Sequence, residues 1–554
     1  MTFLRFLRLS HIKSRINGNN KVAIVRRFCT TVQSEWERPE NGFDTGINIY
    51  NCVHRDDVPF IVRDAKCVTW YTCGPTVYDD AHIGHAVCYM KCDIIQRILR
   101  NHFHLNLITA MNITDIDDKI IARSSSLNVP FQELAKKYEQ DFWQDMDALN
   151  IQRADLILRV SEWMPQIISF IDQLLAKNCA YVASDGSVYF NNPRANGKLR
   201  NLLGPNDQQN ELTNKLLVRK SIKDYALWKA AKAGEPHWNV PWTYENDPNV
   251  LTIGRPGWHT ECAAMATEIF GNTIDLHAGG IDLMFPHHEN EESQCCSYHE
   301  RKQWVNYWLH IGHLVTSDNI KMSKSLKNVI TIKEFLKHYS SDQLRMACLL
   351  TNYRTHVEFS DELLLDAGNT LKRFVSFFDD TQRFLKHSTT LQRRISNRNE
   401  ISTCILDLME LVGAINKAIN PMQQLQECSQ PNSDGNGSDL IKCGQHMVKD
   451  FLTMVGLKNV IPKVFEHHEN VLQCKSDENT SGNKFVAENL INDILIYRTN
   501  LLSDAKANKD KSLFAICDQL RSIYRKNGLI VKDHGTESTW QFENVTTRKN
   551  HSNK

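Results

Sequence analysis

The fold class is decided by residues 68–109, VTWYTCGPTVYDDAHIGHAVCYMKCDIIQRILRNHFHLNLIT. Short alternating apolar and polar runs over residues 47–72 predict a strand that ends in a Cys-Gly-Pro turn. Apolar residues recur at helical spacing over residues 84–101, and residues 105–109 predict a second strand. A strand, a helix and a strand in this order form a βαβ unit. We therefore predict an α/β fold with a doubly wound parallel sheet of the Rossmann-like type.

The same stretch contains two candidate phosphate-binding residues. His82 and His85 flank Gly84 where the helix begins. Glycine permits close approach of a phosphate to the backbone, and a helix N-terminus favours negative charge. The imidazoles can donate hydrogen bonds to phosphoryl oxygens as charge develops. The same four letters recur at residues 310–313 without the preceding turn or a following helix, so we expect that copy to line the nucleotide pocket at most.

A second candidate site is the pentapeptide Lys321-Met322-Ser323-Lys324-Ser325. It follows a second α/β block, residues 251–320, whose clearest strand is residues 273–277. Two lysines around a small flexible segment can close over a triphosphate and neutralise the leaving pyrophosphate. We therefore assign Lys321 and Lys324, with His82 and His85, to catalysis.

Four further residues predict a metal site. Cys73 and Cys262 offer thiolates, and His287 and Glu291 are four residues apart, which places them on one face of a helix. Two sulfur ligands, one nitrogen and one oxygen suit a tetrahedral Zn²⁺ ion. Each residue taken alone has a simpler interpretation, as a buried cysteine or as the solvated start of a helix. The metal prediction therefore depends on the four together.

The two short motifs, about 240 residues apart, resemble the two signatures of class I aminoacyl-tRNA synthetases. Four longer segments are similar to the cysteine-specific members of that family: residues 73–79 (CGPTVYD), 112–119 (NITDIDDK), 255–262 (RPGWHTEC) and 285–291 (FPHHENE). The resemblance extends from about residue 46 to 360, weakens afterwards, and returns at residues 528–540.

This resemblance implies a cysteine–tRNA ligase, which forms cysteinyl-adenylate from L-cysteine and Mg²⁺-ATP and transfers the cysteine to tRNA-Cys. The family's zinc ligands fall on the four residues named above, and the zinc would select the substrate thiol. Serine is nearly isosteric with cysteine, and shape alone separates such pairs by only ~1–3 kcal/mol. The positions that match cysteine-binding residues are Gly74, Thr114, Trp258 and His277. The positions that match ATP-binding residues are His82, His85, Asp282 and Lys324.

Lys119 belongs to a lysine motif, residues 119–123, that in some members of the family accompanies pyridoxal phosphate (PLP) binding and cysteine persulfide formation. A lysine amine can form a Schiff base with the cofactor aldehyde. The structural alternative is that Ile120 and Ile121 belong to the core of a helix and that Lys119 pairs with Asp115 or is solvated.

The N-terminus predicts import into mitochondria. The first 34 residues contain seven basic residues and no acidic residue, with apolar residues between the early arginines. An arginine-rich amphipathic segment without acids is typical of a mitochondrial transit peptide, so we predict a matrix location. A secretory signal is a weaker interpretation because no uninterrupted apolar region follows the basic start. A disordered basic tail is the other alternative.

The predicted domains, assigned partly by the resemblance, follow in chain order. They are a transit peptide (1–33), the first half of the catalytic domain (44–155), a short connective insert (156–250), the second catalytic half (251–320), the lysine loop with a stem-contact region (321–365), and an all-α tRNA-binding domain for the anticodon stem (366–554).

Composition limits the other possibilities. A chain of 554 residues is too long for one core, and its 42% hydrophobic and 23% charged residues are typical of globular proteins. No window approaches the roughly 18 apolar residues of a membrane span. The 16 cysteines are scattered without the spacing of a disulfide framework. We expect a monomer without membrane contact.

Two other functions stay open at this point. One is a cysteine ligase of similar fold that acts on a small-molecule amine, but that reaction would not need the long C-terminal third. The other is a non-catalytic RNA-binding descendant, which would be expected to lose the histidines, lysines or metal ligands. Without its presequence the chain has a net negative charge, so a tRNA would have to bind a local basic face.

Overall fold

The computed structural model describes residues 36–191, 199, 218–221, 223–244, 247, 250, 252–315, 329–388, 437–460, single positions between 498 and 522, and 529–534 with 537–542. The predicted transit peptide, Lys321 and Lys324 lie outside these residues.

A parallel sheet of five strands forms the centre of the catalytic part. An antiparallel hairpin of β1 (Phe43–Asn51) and β2 (Asp56–Val62) precedes it. The strands of the sheet are β3 (Val68–Thr72), β4 (Leu107–Ile113), β5 (Leu156–Arg159), β10 (Ile274–Gly280) and β11 (Val305–Ile311). Their spatial order is β11-β10-β3-β4-β5. The chain leaves β3 towards β4 on one side, whereas β10 pairs with β3 on the other. A topological switch point therefore lies between β3 and β10, where such sheets bind ligands.

Helices cover both faces of this sheet. They are α1 (Ile83–Asn101), α2 (Asp118–Leu127), α3 (Phe131–Ala148), α4 (Met164–Ala176), α5 (Trp258–Phe270) and α6 (Glu289–His299). The sheet has one apolar cluster on each face. Trp70 and Tyr71, successive residues of β3, point to opposite faces, and both are fully buried, each in a different cluster. The predicted doubly wound α/β fold is confirmed.

The insert is a small antiparallel sheet, and its limits differ from the predicted ones. Its strands are β6 (Ala180–Val182), β7 (Val188–Phe190), β8 (Tyr225–Ala230) and β9 (Gly254–Pro256). The predicted start at residue 156 is wrong, since β5 belongs to the main sheet, and β9 extends past the predicted end at residue 250. A strand of four residues such as β5 is too short to give a periodic signal, so tertiary pairing with β4 decides its place.

The C-terminal part is mostly helical where it is described. Two short strands, β12 (Leu314–Val315) and β13 (Val357–Glu358), pair in parallel. Between them in the chain lie α7 (Ile332–His338) and α8 (Ser341–Leu349), and after them come α9 (Asp361–Ser388) and α10 (Gly437–Met454). It is not all-α, because β14 (Leu529–His534) and β15 (Glu537–Phe542) form an antiparallel hairpin. Two short runs around a glycine are a hairpin signal that the helical interpretation missed. Among the described residues, no helix is long and apolar enough to cross a membrane.

Candidate active site

The four predicted metal ligands meet in one buried cluster. Cys73 follows β3 and Cys262 lies on α5, whereas His287 lies in the π-helical segment Met284–His288 that precedes α6 and Glu291 lies in the first turn of α6. All four are buried, and their donor atoms lie within 4.8 Å of one another. The Sγ atoms of Cys73 and Cys262 are 3.9 Å apart, and His287 Nε2 is 3.0 Å from Glu291 Oε1. Ligand atoms around a tetrahedral Zn²⁺ are about 3.3–3.8 Å apart, so the cluster fits this ion.

The charges of the cluster also fit a cation. Burial would raise the pKa of the Cys262 thiol, but the hydrogen bond that Cys73 donates and the nearby His287 outweigh it and lower this pKa to about 6. Burial likewise opposes ionisation of Glu291, yet His277 and His287 lower the pKa of its carboxyl group to about 2. Glu291 and Cys262 raise the pKa of His287 to about 10 against the effect of burial. The anionic donors thus need a cation beside them, either the imidazolium of His287 or a divalent metal that would displace its proton.

A second set of donors overlaps the first. Cys73, His277, His288 and Glu291 also lie within 4.8 Å of one another. His277 Nε2 is 3.0 Å from Glu291 Oε2, the oxygen that does not face His287. Burial, followed by the neighbouring His277 and His310, lowers the pKa of His288 well below its usual value. We favour the first set for zinc because it contains two cysteine sulfurs, whereas the second contains one.

His287 is oriented by two neighbours. Trp258 stacks on its ring with a centroid distance of 4.3 Å, and His259 Nδ1 lies 3.0 Å from His287 Nδ1. Burial lowers the pKa of His259, which favours a neutral acceptor at that nitrogen. A metal-binding histidine usually donates its second ring N–H to a fixed partner, and His259 can accept it. Sequence analysis missed His259 and His288, because spacing along the chain does not indicate these tertiary contacts.

The predicted cysteine-binding residues border the cluster. The Gly74 N–H donates to Asn112 Oδ1 at 2.8 Å, and a Cβ at Gly74 would lie 1.6 Å from the Asn112 carbonyl oxygen, so only glycine fits. Thr114 Oγ1 donates to Glu261 Oε2 at 3.2 Å. Burial raises the pKa of this carboxyl group, and sequence analysis did not single out Glu261. The other two, Trp258 and His277, contact the candidate ligands His287 and Glu291 respectively.

The histidines of α1 are held by backbone hydrogen bonds. His82 Nδ1 accepts from Gly84 N at 3.1 Å, His85 Nδ1 accepts from His82 N at 3.3 Å, and the two rings stack at 3.8 Å. Since each Nδ1 is an acceptor, the proton of each neutral ring is on Nε2. The N–H groups of residues 83–86 already donate within the protein. Contact with a phosphate would therefore fall to Nε2–H and not to the backbone.

The repeated motif at residues 310–313 has a different role. His310 Nε2 lies 2.9 Å from His288 Nδ1, behind the metal cluster, and burial lowers the pKa of His310 to about 3. His313 Nδ1 lies 3.9 Å from Asp282 Oδ1, just beyond β10. A Cβ at Gly312 would lie 2.0 Å from the Thr355 carbonyl oxygen, so this glycine makes room for a neighbouring loop.

Lys119 is not one of the donor groups of the cluster. It is exposed at the start of α2, with Nζ 5.5 Å from the centre of the Tyr78 ring. Of the two structural alternatives, solvation fits this exposed lysine, whereas Asp115 accepts two hydrogen bonds from Ser161. Ile120 is fully buried, as the structural alternative predicts.

The sheet, its switch point and the site define the catalytic domain of a class I aminoacyl-tRNA synthetase. Residues 59–369, more than half of the chain, match the family model described as "tRNA synthetases class I (C) catalytic domain". A probable mitochondrial cysteine–tRNA ligase of Xenopus tropicalis is 36% identical, covering 93% of this chain and 92% of that protein. A probable mitochondrial cysteine–tRNA ligase of Dictyostelium discoideum is 35% identical, covering 91% of each. The chain belongs to the cysteine–tRNA ligase family.

Two further comparisons are with an archaeal relative and with a solved structure. A cysteine–tRNA ligase of Staphylothermus marinus is 34% identical, covering 89% of this chain and 99% of that protein. Among solved structures, the methionyl-tRNA synthetase of Mycobacterium tuberculosis in complex with methionyl-adenylate is 13% identical and covers 71% of this chain and 92% of its own, with a TM-score of 0.46.

We predict that the purified protein binds about one Zn²⁺ per chain and that Cys262→Ser removes it, because serine replaces a thiolate ligand with a neutral hydroxyl. Cys295→Ser is the matched control, since Cys295 is equally buried in the same core but bonds Thr267 and the Ala263 carbonyl. Metal analysis by mass spectrometry of both folded variants checks this. Full zinc content in Cys262→Ser would contradict the assignment.

Proposed function

We propose that this chain activates L-cysteine with ATP and transfers it to tRNA-Cys in the mitochondrial matrix, and that zinc selects the substrate thiol. The observation that carries the proposal is the buried cluster of two cysteines, a histidine and a glutamate beside the switch point. The similarity to enzymes named cysteine–tRNA ligase over more than nine-tenths of the chain supports tRNA as the acceptor over a small-molecule amine.

The proposed zinc ligands are Cys73, Cys262, His287 and Glu291. When bound there, Zn²⁺ favours the deprotonated form of a coordinating thiol and prefers sulfur to a neutral alcohol. The protein positions the ligands: His277 contacts the second oxygen of Glu291, and Trp258 covers the ring of His287. Selection at the metal can reject serine, which a pocket that reads shape alone would separate by only ~1–3 kcal/mol.

In the proposed activation step, the cysteine carboxylate attacks the α-phosphate of Mg²⁺-ATP, and pyrophosphate leaves. The Nε2–H groups of His82 and His85 donate to the phosphoryl oxygens as charge develops. Lys321 and Lys324, proposed from the sequence, neutralise the pyrophosphate, and Asp282 contacts the nucleotide. The terminal ribose hydroxyl of the tRNA then attacks the adenylate carbonyl and releases AMP. Positioning and charge stabilisation supply the rate, without a covalent enzyme intermediate.

We predict that Cys262→Ser raises the KM for cysteine by about a hundredfold while the KM for ATP changes little. The reason is that the variant loses the contact of zinc with the substrate thiol, whereas His82 and His85, the proposed phosphate-binding residues, are unchanged. The assay is cysteine-dependent ATP–pyrophosphate exchange, with Cys295→Ser as the control, followed by charging of mitochondrial and cytosolic tRNA-Cys. An unchanged cysteine KM in a folded, zinc-free variant would disprove selection by the metal. Absence of exchange in the parent chain would favour the non-catalytic alternative, and exchange without charging would favour the small-molecule ligase.

The matrix location rests on residues 1–33 and on the names of the two relatives described as mitochondrial. We predict that residues 1–40 fused to a fluorescent protein direct it to mitochondria, since the segment is cationic and amphipathic. Replacing the seven basic residues of positions 1–34 with glutamine should leave the fusion in the cytosol. A diffuse signal from the unchanged segment would contradict the proposal.

We also propose that residues 366–554 bind the anticodon stem and that the enzyme acts as a monomer. The support for tRNA binding is a local density of basic residues in a chain whose part beyond the presequence is acidic overall. These residues are Lys506, Lys509, Lys511, Arg521, Arg525 and Lys526.

A secondary PLP-dependent persulfide synthesis stays a prediction that rests on Lys119. The Tyr78 ring beside Lys119 offers a flat surface for an aromatic cofactor. Against this, the nearest described cations are already engaged, since Asp118, next to Lys119 in the sequence, forms ion pairs with Lys229 and Arg255. The chain therefore supplies an amine without an evident phosphate site among the residues described, and we assign no chemical step to it.

If Lys119 forms a Schiff base with PLP, protein without residues 1–33 should absorb in the visible range with PLP and should produce persulfide from cysteine without tRNA. Lys119→Ala should abolish both signals and leave pyrophosphate exchange intact. Lys136→Ala, an exposed lysine on α3, is the control. Full persulfide output from Lys119→Ala would remove this lysine from the reaction.

A further inference from the structure

One buried guanidinium joins four segments of the chain. Arg345, on α8, is fully buried and contacts Asp93 Oδ2 of α1 at 2.5 Å. It also donates to the carbonyl oxygens of Leu149 (3.1 Å) and Asn150 (2.7 Å), just beyond α3, and of Val455 (3.2 Å), just beyond α10. The turn after α10 is thereby linked to α1 and to α8, the helix that carries Arg345.

A second arginine completes this node. Arg97 Nε donates to Asp93 Oδ2 at 2.8 Å, and its Nη2 donates to the Asn150 carbonyl at 2.9 Å. The other oxygen of Asp93 accepts from Gln152 N at 3.0 Å. One carboxylate therefore faces two buried guanidinium groups, and backbone carbonyls compensate the remaining positive charge. Buried charged groups tolerate little displacement, because a lost partner leaves a charge uncompensated.

Gly456 is the point where the C-terminal part fits against the node. Its backbone has φ +84°, and a Cβ there would lie 3.2 Å from Cζ of both Arg345 and Arg97. Asn150 Nδ2 donates to the Gly456 carbonyl at 2.7 Å. A side chain at Gly456 would therefore push the turn after α10 away from both arginines and strain its backbone.

The node is tied to the phosphate end of α1. Asp93 follows His85 by eight residues, about 12 Å along the helix axis. A displacement of the turn after α10 relative to Asp93 changes where the C-terminal part lies relative to His82 and His85. None of the side chains of the node is one of these histidines or a donor of the cluster.

We propose that Arg345 is a positioning residue for the transfer step, which holds the C-terminal part in register with α1 so that the tRNA end reaches the adenylate. This inference rests on the proposed function. Activation of cysteine uses residues of the catalytic part alone, so disturbance of the node should affect transfer more than activation.

The test is Gly456→Ala in the chain without residues 1–33. We expect kcat for tRNA charging to fall about tenfold, while pyrophosphate exchange and the KM for tRNA stay within about twofold. Gly234→Ala is the matched control, because Gly234 has nearly the same φ, +82°, but no atom within 4 Å of the added Cβ. Both activities of the control should stay within about twofold of the parent.

Asn150→Gly is a milder second variant. Asn150 already has φ +55°, so glycine fits the backbone. The change removes only the donor to Gly456 and keeps the carbonyl that accepts from both arginines. Asn150→Gly should also reduce tRNA charging more than pyrophosphate exchange, but by a smaller factor than Gly456→Ala does. Equal loss of exchange and charging in both variants, a change confined to the tRNA KM, or unimpaired charging in both would overturn the inference. Failure of the parent to charge tRNA-Cys would instead refute the proposed function.

Discussion

The buried charge of Glu291 constrains the whole catalytic part. A carboxylate without solvent contact is stable only if its oxygens meet positive or donor groups. His277 of β10 contacts one oxygen and His287, before α6, contacts the other. His287 is fixed in turn by His259 and Trp258 at the start of α5. The strand and the two helices therefore cannot move independently without loss of a partner of this charge.

The same constraint explains why the cluster lies where it does. The carboxyl ends of β3 and β10 are adjacent, and the connections from them leave in opposite directions, which opens a crevice. Cys73 enters this crevice from β3, and α5 and α6 bring the remaining donors from the face that α1 does not cover. The site thus combines residues that are more than 200 positions apart, and the parallel order of the sheet brings them together.

The sequence predicts long periodic elements and short-range pairs well, for physical reasons. The 19 residues of α1 repeat their apolar face over five turns, and the i, i+4 spacing of His287 and Glu291 places them side by side. By contrast, β5 has four residues and gives no comparable signal. His259 and His288 could not be found from spacing, because their contacts with His287 and with His310 depend on tertiary packing.

The repeated His-Ile-Gly-His motif shows how secondary structure decides the chemistry of identical letters. In the first copy, at the helix start, the Nδ1 atoms of His82 and His85 each accept a hydrogen bond from a backbone N–H. In the neutral form of each ring the proton is therefore on Nε2. In the second copy the chain ends a strand, Gly312 N donates to the Tyr353 carbonyl, and His310 Nε2 contacts His288 in the interior. An imidazole that is buried against another imidazole cannot reach a nucleotide. We therefore propose the phosphate role for the copy that begins a helix, whereas His310 of the second copy packs against His288 beside the donor cluster.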